Sequence, residues 1–242
     1  MNKINLLNDF NSLIQKVLWL SVCLSMTLSA APVPPDWPTD DWPVKKLAPA
    51  ENLSYLSVLE NNIILHLNMA RTDPSRYSQE FISPRSAFYN NKMYLEPGGS
   101  ENFIGLQTQE GVNAVNEATE IMNSTKPIGS LKADKTLTLA AQDHATDQSK
   151  SGGVGHISQN GSTLKNRVER YGKWQHKIGE NIIYGANSGR EVVVELLIDD
   201  GVKSRGHRTN ILQKDYKVVG IACDKHPSYG SVCVMDFAGG IE

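Results

Sequence analysis

The 242-residue chain has almost no net charge, few aromatic side chains and few cysteines: a formal balance of −2, 7% Phe, Trp and Tyr, and three Cys. Near-neutrality leaves no global basic field to hold nucleic acid or an anionic membrane by charge alone, so neither partner is expected. The chain also lacks the His-Glu-x-x-His, Gly-x-Ser-x-Gly, phosphate-loop and dinucleotide signatures, which removes the enzyme classes those motifs mark. It has no internal repeat. Its single extended apolar run, from Val17 to about Ala31, is short for a membrane span of roughly 20 residues.

That run follows Lys3 and Lys16 and ends in Ser29, Ala30 and Ala31, the pattern of a secretory signal over residues 1–31. A retained N-terminal anchor is the alternative. Lipidation at Cys23 is discounted, because Val22 stands where a small residue is needed and the apolar run continues beyond it. Export would remove Cys23 and leave Cys223 and Cys233, an even count in an oxidising compartment. Such a pair points to a disulfide, with two free buried thiols as the other reading.

The whole chain is 40% hydrophobic and 21% charged, the composition of an ordinary globular protein with one sizeable core. Residues 32–51 hold six prolines with Trp37 and Trp42 and no apolar period, and read as an extended linker. Packing of this stretch on the domain through its tryptophans remains open. Residues 52–242 form the domain.

Within it, Leu56, Leu59, Ile63, Ile64, Leu67 and Ala70 follow helical spacing up to Asp73-Pro74. A second helix is expected from Gln109 to Met122, and residues 82–106, rich in Asn, Gly, Pro and Ser, read as a long loop. A third helix runs from an Asp134 cap to about Ser149 and stops at Gly152-Gly153. Ser162 can cap a fourth. Ser188 with Glu191 makes a capping box for a fifth that carries Val192 to Ile198. Residues 217–223 and 231–237 are rich in Val, Ile and Cys and read as a hairpin, with 182–184 a candidate third strand. Helices around a small antiparallel sheet make an α+β layered domain.

Four segments set a histidine or an acid among glycines, where backbone approaches a ligand closely: residues 155–158, 179–181, 198–201 and 204–208. The ordered set Asn68-Met69-Ala70-Arg71, Ala140 to Ala145 with His144, Gly155-His156, Gly179-Glu180-Asn181-Ile182, Arg205-Gly206-His207-Arg208 and the closing hairpin resembles the CAP superfamily, that is, the cysteine-rich secretory, antigen 5 and pathogenesis-related proteins with their SCP domain. The similarity is to its microbial and plant-like branch and covers about residues 52–240.

The resemblance implies an α-β-α sandwich and a solvent-open cleft where two histidines and two acids meet: His156, Glu180, His207 and Asp199. Leu196 stands where the family has Trp, and a register slip would put Asp200 in place of Asp199. Two imidazoles and two carboxylates suit Zn²⁺ or a similar divalent cation with open positions. A plain surface hydrogen-bond network is the bland alternative. The expected function is that of a secreted or, in a bacterium, periplasmic binding module for a cation and a lipid, sterol or other small ligand, with the apolar groove beneath the first helix and the 82–106 loop. A hydrolase with Glu180 or His207 as catalytic residue, and Ser204 the nearby hydroxyl, is the runner-up; no activated nucleophile accompanies them, so catalysis is not the first expectation. A structural or adhesive module is the third.

Overall fold

The computed structural model describes residues 41–49, 53–95 and 105–242. The signal-like segment, Cys23 and Trp37 lie outside the described residues. Of the proline-rich stretch, residues 41–49 are not extended. Trp42 and Leu47 are buried beside a one-turn helix, α1 (Val44–Leu47), with Trp42 Nε1 donating to Glu80 Oε2 at 2.7 Å and the Arg76 guanidinium over its ring. The tryptophan reading therefore holds for Trp42.

The first long helix, α2 (Val58–Thr72), starts two residues after Leu56, the first residue of its apolar pattern, because Ser57 and Glu60 close a capping box there. It continues through α3 (Pro74–Tyr77) into tight turns ending at Phe88. The expected loop holds structure instead: β1 (Tyr89–Asn90), β2 (Met93–Tyr94) and β3 (Leu106–Gln107) form a small antiparallel sheet in that order. Its strands are two residues each, too short for an alternation that sequence could show.

Then follow α4 (Val112–Ser124), β4 (Lys132–Ala133), α5 (Lys135–Ser151), α6 (Leu164–Val168), β5 (Trp174–Tyr184), α7 (Gly189–Ile198), α8 (Gly206–Ile211), β6 (Val218–His226) and β7 (Gly230–Ile241). Asp134 caps α5, accepting from Leu137 N at 3.0 Å, and Gly152 ends it at φ +69°. The cap of α6 is Thr163, one residue past the expected Ser162.

The main sheet has the order β4-β6-β7-β5. β6 and β7 are the expected hairpin, and the disulfide Cys223–Cys233 joins directly opposed residues on it. β5 is eleven residues long and antiparallel to β7, so the candidate third strand is only its last three residues.

Alternate residues sort the two faces. Ile182, Ala222, Val232 and Val234 pack against Ala141 and Ala145 of α5. Val219, Ile221, Met235 and Phe237 join the larger core with α2, α4 and α7. The architecture is an α+β sandwich with a small sheet between helical layers. α5 lies close because residue 220 is glycine: a Cβ there would stand 2.0 Å from Thr138 N.

Arg71, in the last turn of α2, is fully buried and reaches the carbonyls of Gly129, Ile211, Gln213 and Tyr216 at 2.7–3.1 Å. No carboxylate faces it in those bonds, and burial lowers its pKa to about 10. Asn68 ties Leu47 O and both backbone groups of Leu131. Both residues hold segments together and neither lines a cleft.

Candidate functional site

The loop after α5 carries His156. Its position is set from below by His144, which is fully buried and bonded to Ser158 Oγ at 2.9 Å and Gly155 O at 2.8 Å. Burial, with the Arg167 charge second, lowers the pKa of His144, so it works as a neutral bridge.

His156 Nδ1 meets Glu180 Oε1 at 2.8 Å. The second oxygen of Glu180 takes Arg167 Nη2 at 2.5 Å, and both partners of that bond are buried. Burial pushes the Glu180 carboxyl up, but His156, Arg167 and His144 outweigh it and leave its pKa below the usual value. The Glu180 bond raises His156 against the opposing effect of burial.

Directly across the ladder from Glu180 stands Asp236 on β7, completely buried with its carboxyl beside that of Glu180. Burial first and the Glu180 charge second push Asp236 well above the ordinary carboxyl range. An acid held this way is largely protonated at a pH where a free aspartate is ionised.

The second pair sits at the α7–α8 junction. Asp199 is the left-handed C-cap of α7 at φ +57°, a conformation that turns its carboxylate onto the start of α8. Oδ1 meets His207 Nδ1 at 2.7 Å, while Oδ2 accepts the His207 and Arg208 backbone N–H groups at 3.0 and 3.3 Å. Asp200 turns the other way and accepts the N–H groups of Gln109 and Glu110 at 2.6 and 2.8 Å. Asp199 is thus the residue on His207. Ser204 is exposed, and the N-cap position of α8 falls on Arg205, which at φ +50° is clamped by Glu110 and Glu117.

The two pairs meet at β5. Asn181 Nδ2 donates to His207 O at 3.0 Å, one residue along from Glu180, and Asn210 Nδ2 bridges Glu180 O and Asn181 Oδ1 at 3.2 and 2.9 Å. His156 through Glu180 and His207 through Asn181 are therefore both tied to β5 from segments remote in sequence. The four side chains do not form one cluster: among the described residues no group of three or more His, Cys, Asp or Glu could hold a single ion. Both oxygens of each acid are already engaged. What remains for a ligand is the outer nitrogen, Nε2, of each ring.

His207 and Asp199 line a groove of about 450 Å³ with Leu106, Ile182, Tyr184 and Tyr229. A larger hollow of about 850 Å³ lies between α4 and α8, rimmed by Lys126, Lys214 and Lys217. Neither lies under α2, where an apolar ligand groove was expected. His66 is buried against Tyr77 and Phe81, His226 packs with Tyr184 and Tyr229, and Trp174 packs on the Leu137 cluster.

Arg167 and Asp236 escaped sequence reasoning. Asp236 did carry a signal, since a lone acid on the inward parity of an otherwise Val- and Phe-rich strand is anomalous. Arg167, beside Val168 on a one-turn helix, had none.

A helix–sheet–helix sandwich with one histidine on the loop after α5 and another at the start of α8 defines an α+β layered module. The chain belongs to the cysteine-rich secretory protein family, CAP, whose profile matches residues 46–237. An uncharacterized membrane protein of Bacillus subtilis, YlbC, is 26% identical over 109 residues, which is 45% of this chain and 30% of that relative. The chain thus matches under a third of that protein's length.

Among solved structures, an extracellular protein with an SCP domain from Bacillus anthracis aligns with 21% identity and a TM-score of 0.39, over 52% of this chain and 37% of its own. An outer surface protein of Borrelia burgdorferi aligns with 21% identity and a TM-score of 0.40, over 51% and 86%. A cysteine-rich secretory protein of Staphylococcus aureus aligns with 15% identity and a TM-score of 0.35, over 58% and 44%. No helix among the described residues is long and apolar enough to cross a membrane.

Proposed function

We propose that this CAP protein is an exported binding module whose His156 and His207 offer their Nε2 atoms to a divalent cation such as Zn²⁺. One observation carries the reading: each Nδ1 is held by a carboxylate, at 2.8 Å for His156 and 2.7 Å for His207. A carboxylate on one ring nitrogen fixes the tautomer and leaves the other nitrogen as a lone-pair donor, the usual arrangement behind a metal-binding histidine.

The acids then serve as positioning groups, because Glu180 and Asp199 have no oxygen left uncommitted. That departs from a four-ligand tetrad. A bound cation would supply Lewis acidity or a bridge to an anionic ligand, with remaining positions filled by water or that ligand. Small-ligand or lipid binding is part of the same proposal, and export rests on the signal-like residues 1–31.

A hydrolase draws less support. His207–Asp199 has the base-and-orienter geometry, but among the described residues no Ser, Thr or Cys side chain is bonded to His156 or His207. Metal analysis after dialysis against Zn²⁺, on the wild type and on His156→Ala and His207→Ala, tests the reading. At least one variant is expected to lose its bound metal; the same metal content in all three proteins ends the proposal.

A further inference from the structure

The 450 Å³ groove is bounded by residues 182–185 at the end of β5 and residues 106–108 at β3. Among the described residues β5 pairs only with β7 and β3 only with β2, so each is an edge strand of its sheet there. An edge strand keeps a row of backbone donors and acceptors available for pairing.

Which groups are open follows from the ladder. Gly185 N–H reaches Ser231 O at 3.1 Å, and in an antiparallel pair bonded and non-bonded positions alternate. With Ile183 opposite Cys233 in the bonded phase, Ile182 and Tyr184 turn their N–H and C=O groups away from β7. Two further observations have the same phase. The Glu180 carbonyl, two residues before Ile182, accepts from Asn210 on that outer side. Cys233 faces Cys223 at a Cα separation of 4.1 Å, the short spacing of a non-bonded pair, so its backbone groups are directed at β5.

The side chains around this edge select by charge. The lining includes Glu191, Glu195, Asp199 and Asp200 and no Lys or Arg, with His207 its one basic group; Asp199 and Asp200 already accept from His207 and backbone N–H groups and Glu191 from Asn187 N, so these acids act on a cation through their summed field. Arg85 pairs with Glu195 from outside the lining. Leu106 and Tyr229 add apolar surface that is 48% and 54% exposed. The chain's own residues 32–40 contain Asp36 and Asp40 and no cation, so their charge does not complement the groove.

We propose that the open edge of β5 takes an extended cationic peptide segment as an added strand, its backbone paired with Ile182 and Tyr184 and its Lys or Arg side chains facing the acids. Main-chain pairing supplies affinity in such a mode and the flanking side chains supply selectivity. The groove shares His207 and Asp199 with the proposed cation site, but the peptide mode needs no metal.

The probe is a fluorescein-labelled, end-blocked heptapeptide of alternating lysine and valine, titrated by anisotropy in EDTA. Saturation is expected to slow hydrogen exchange at the Ile182 and Tyr184 amides by about tenfold or more. Methylating alternate backbone nitrogens of the peptide, or replacing its lysines with glutamates, is each expected to weaken binding by roughly tenfold or more. Ile182→Pro removes an outward N–H without touching the β7 ladder and should abolish binding; if that variant misfolds, the methylated peptide on unaltered protein decides. Absence of binding at millimolar peptide, equal binding of the methylated or glutamate peptide, or unprotected edge amides overturns the proposal. So does a concentration-dependent dimer in sedimentation that competes with the peptide, which would assign the edge to a second copy. Peptide binding retained in His156→Ala and His207→Ala while metal is retained too would break the cation reading alone.

Discussion

The His156–Glu180 and His207–Asp199 pairs join the same atoms at nearly the same distance, yet they are supported in opposite ways. Glu180 is held by charge: a buried guanidinium lies on its second oxygen and a buried carboxyl lies across the ladder. Asp199 is held by backbone, as the cap of one helix reaching the first amides of the next. Charge support inside a sheet face is expensive to disturb, because an ion left alone there is neither solvated nor paired. Backbone support is local and costs about a capping bond to lose. The rings differ as well, with His156 55% exposed and His207 24%.

The comparison breaks most sharply at Arg167. Arg167→Met leaves Glu180 and Asp236 as two buried carboxyls without their cation, and urea denaturation is expected to show a loss of about 3–5 kcal/mol. A loss below about 1 kcal/mol would mean that charge does not hold this half of the site.

Asp199→Ala comes next. It uncovers the His207 and Arg208 amides and removes the His207 partner, with an expected cost of about 1–3 kcal/mol and faster hydrogen exchange confined to α8. Exchange that quickens equally around His156 would show that the two halves are one unit.

The smallest effect is the titration of His156. Its folded pKa is raised by Glu180, so its contribution to stability is fully present below its unfolded value of about 6.5 and is lost as pH rises through the higher folded value. The ring is mostly exposed and the pair partly screened, so the loss should stay under about 1 kcal/mol. In denaturation midpoints across this window, His156→Ala should flatten that fall; a fall of the same size in the variant assigns it to another group.

Much of this was legible in the chain. The Asp134 and Ser188 caps, the Gly152 stop, the closing hairpin and the apolar stripe of α2 are all short-range patterns, and each appears where its residues place it, within a few positions. Motif order pointed to the family. The small β1–β3 sheet and most of β5 were not legible, since the first is too short to show a period and the second carries Gly179, Glu180 and Asn181 in mid-strand.

By itself, then, the sequence determined α2, α4, α5, α6 and α7 to within a few residues of their ends and the closing hairpin with its two cysteines, because those depend on neighbours a few positions apart. Only the tertiary structure decided that Asp199 and not Asp200 meets His207, that Arg167 is the buried counterion of Glu180, that Asp236 lies beside it, and that the acids are occupied while the outer ring nitrogen, Nε2, of His156 and of His207 is left for a ligand. The reason is that hydrogen bonding and the cost of burying charge depend on which groups from remote segments surround an atom, and no local pattern records that company.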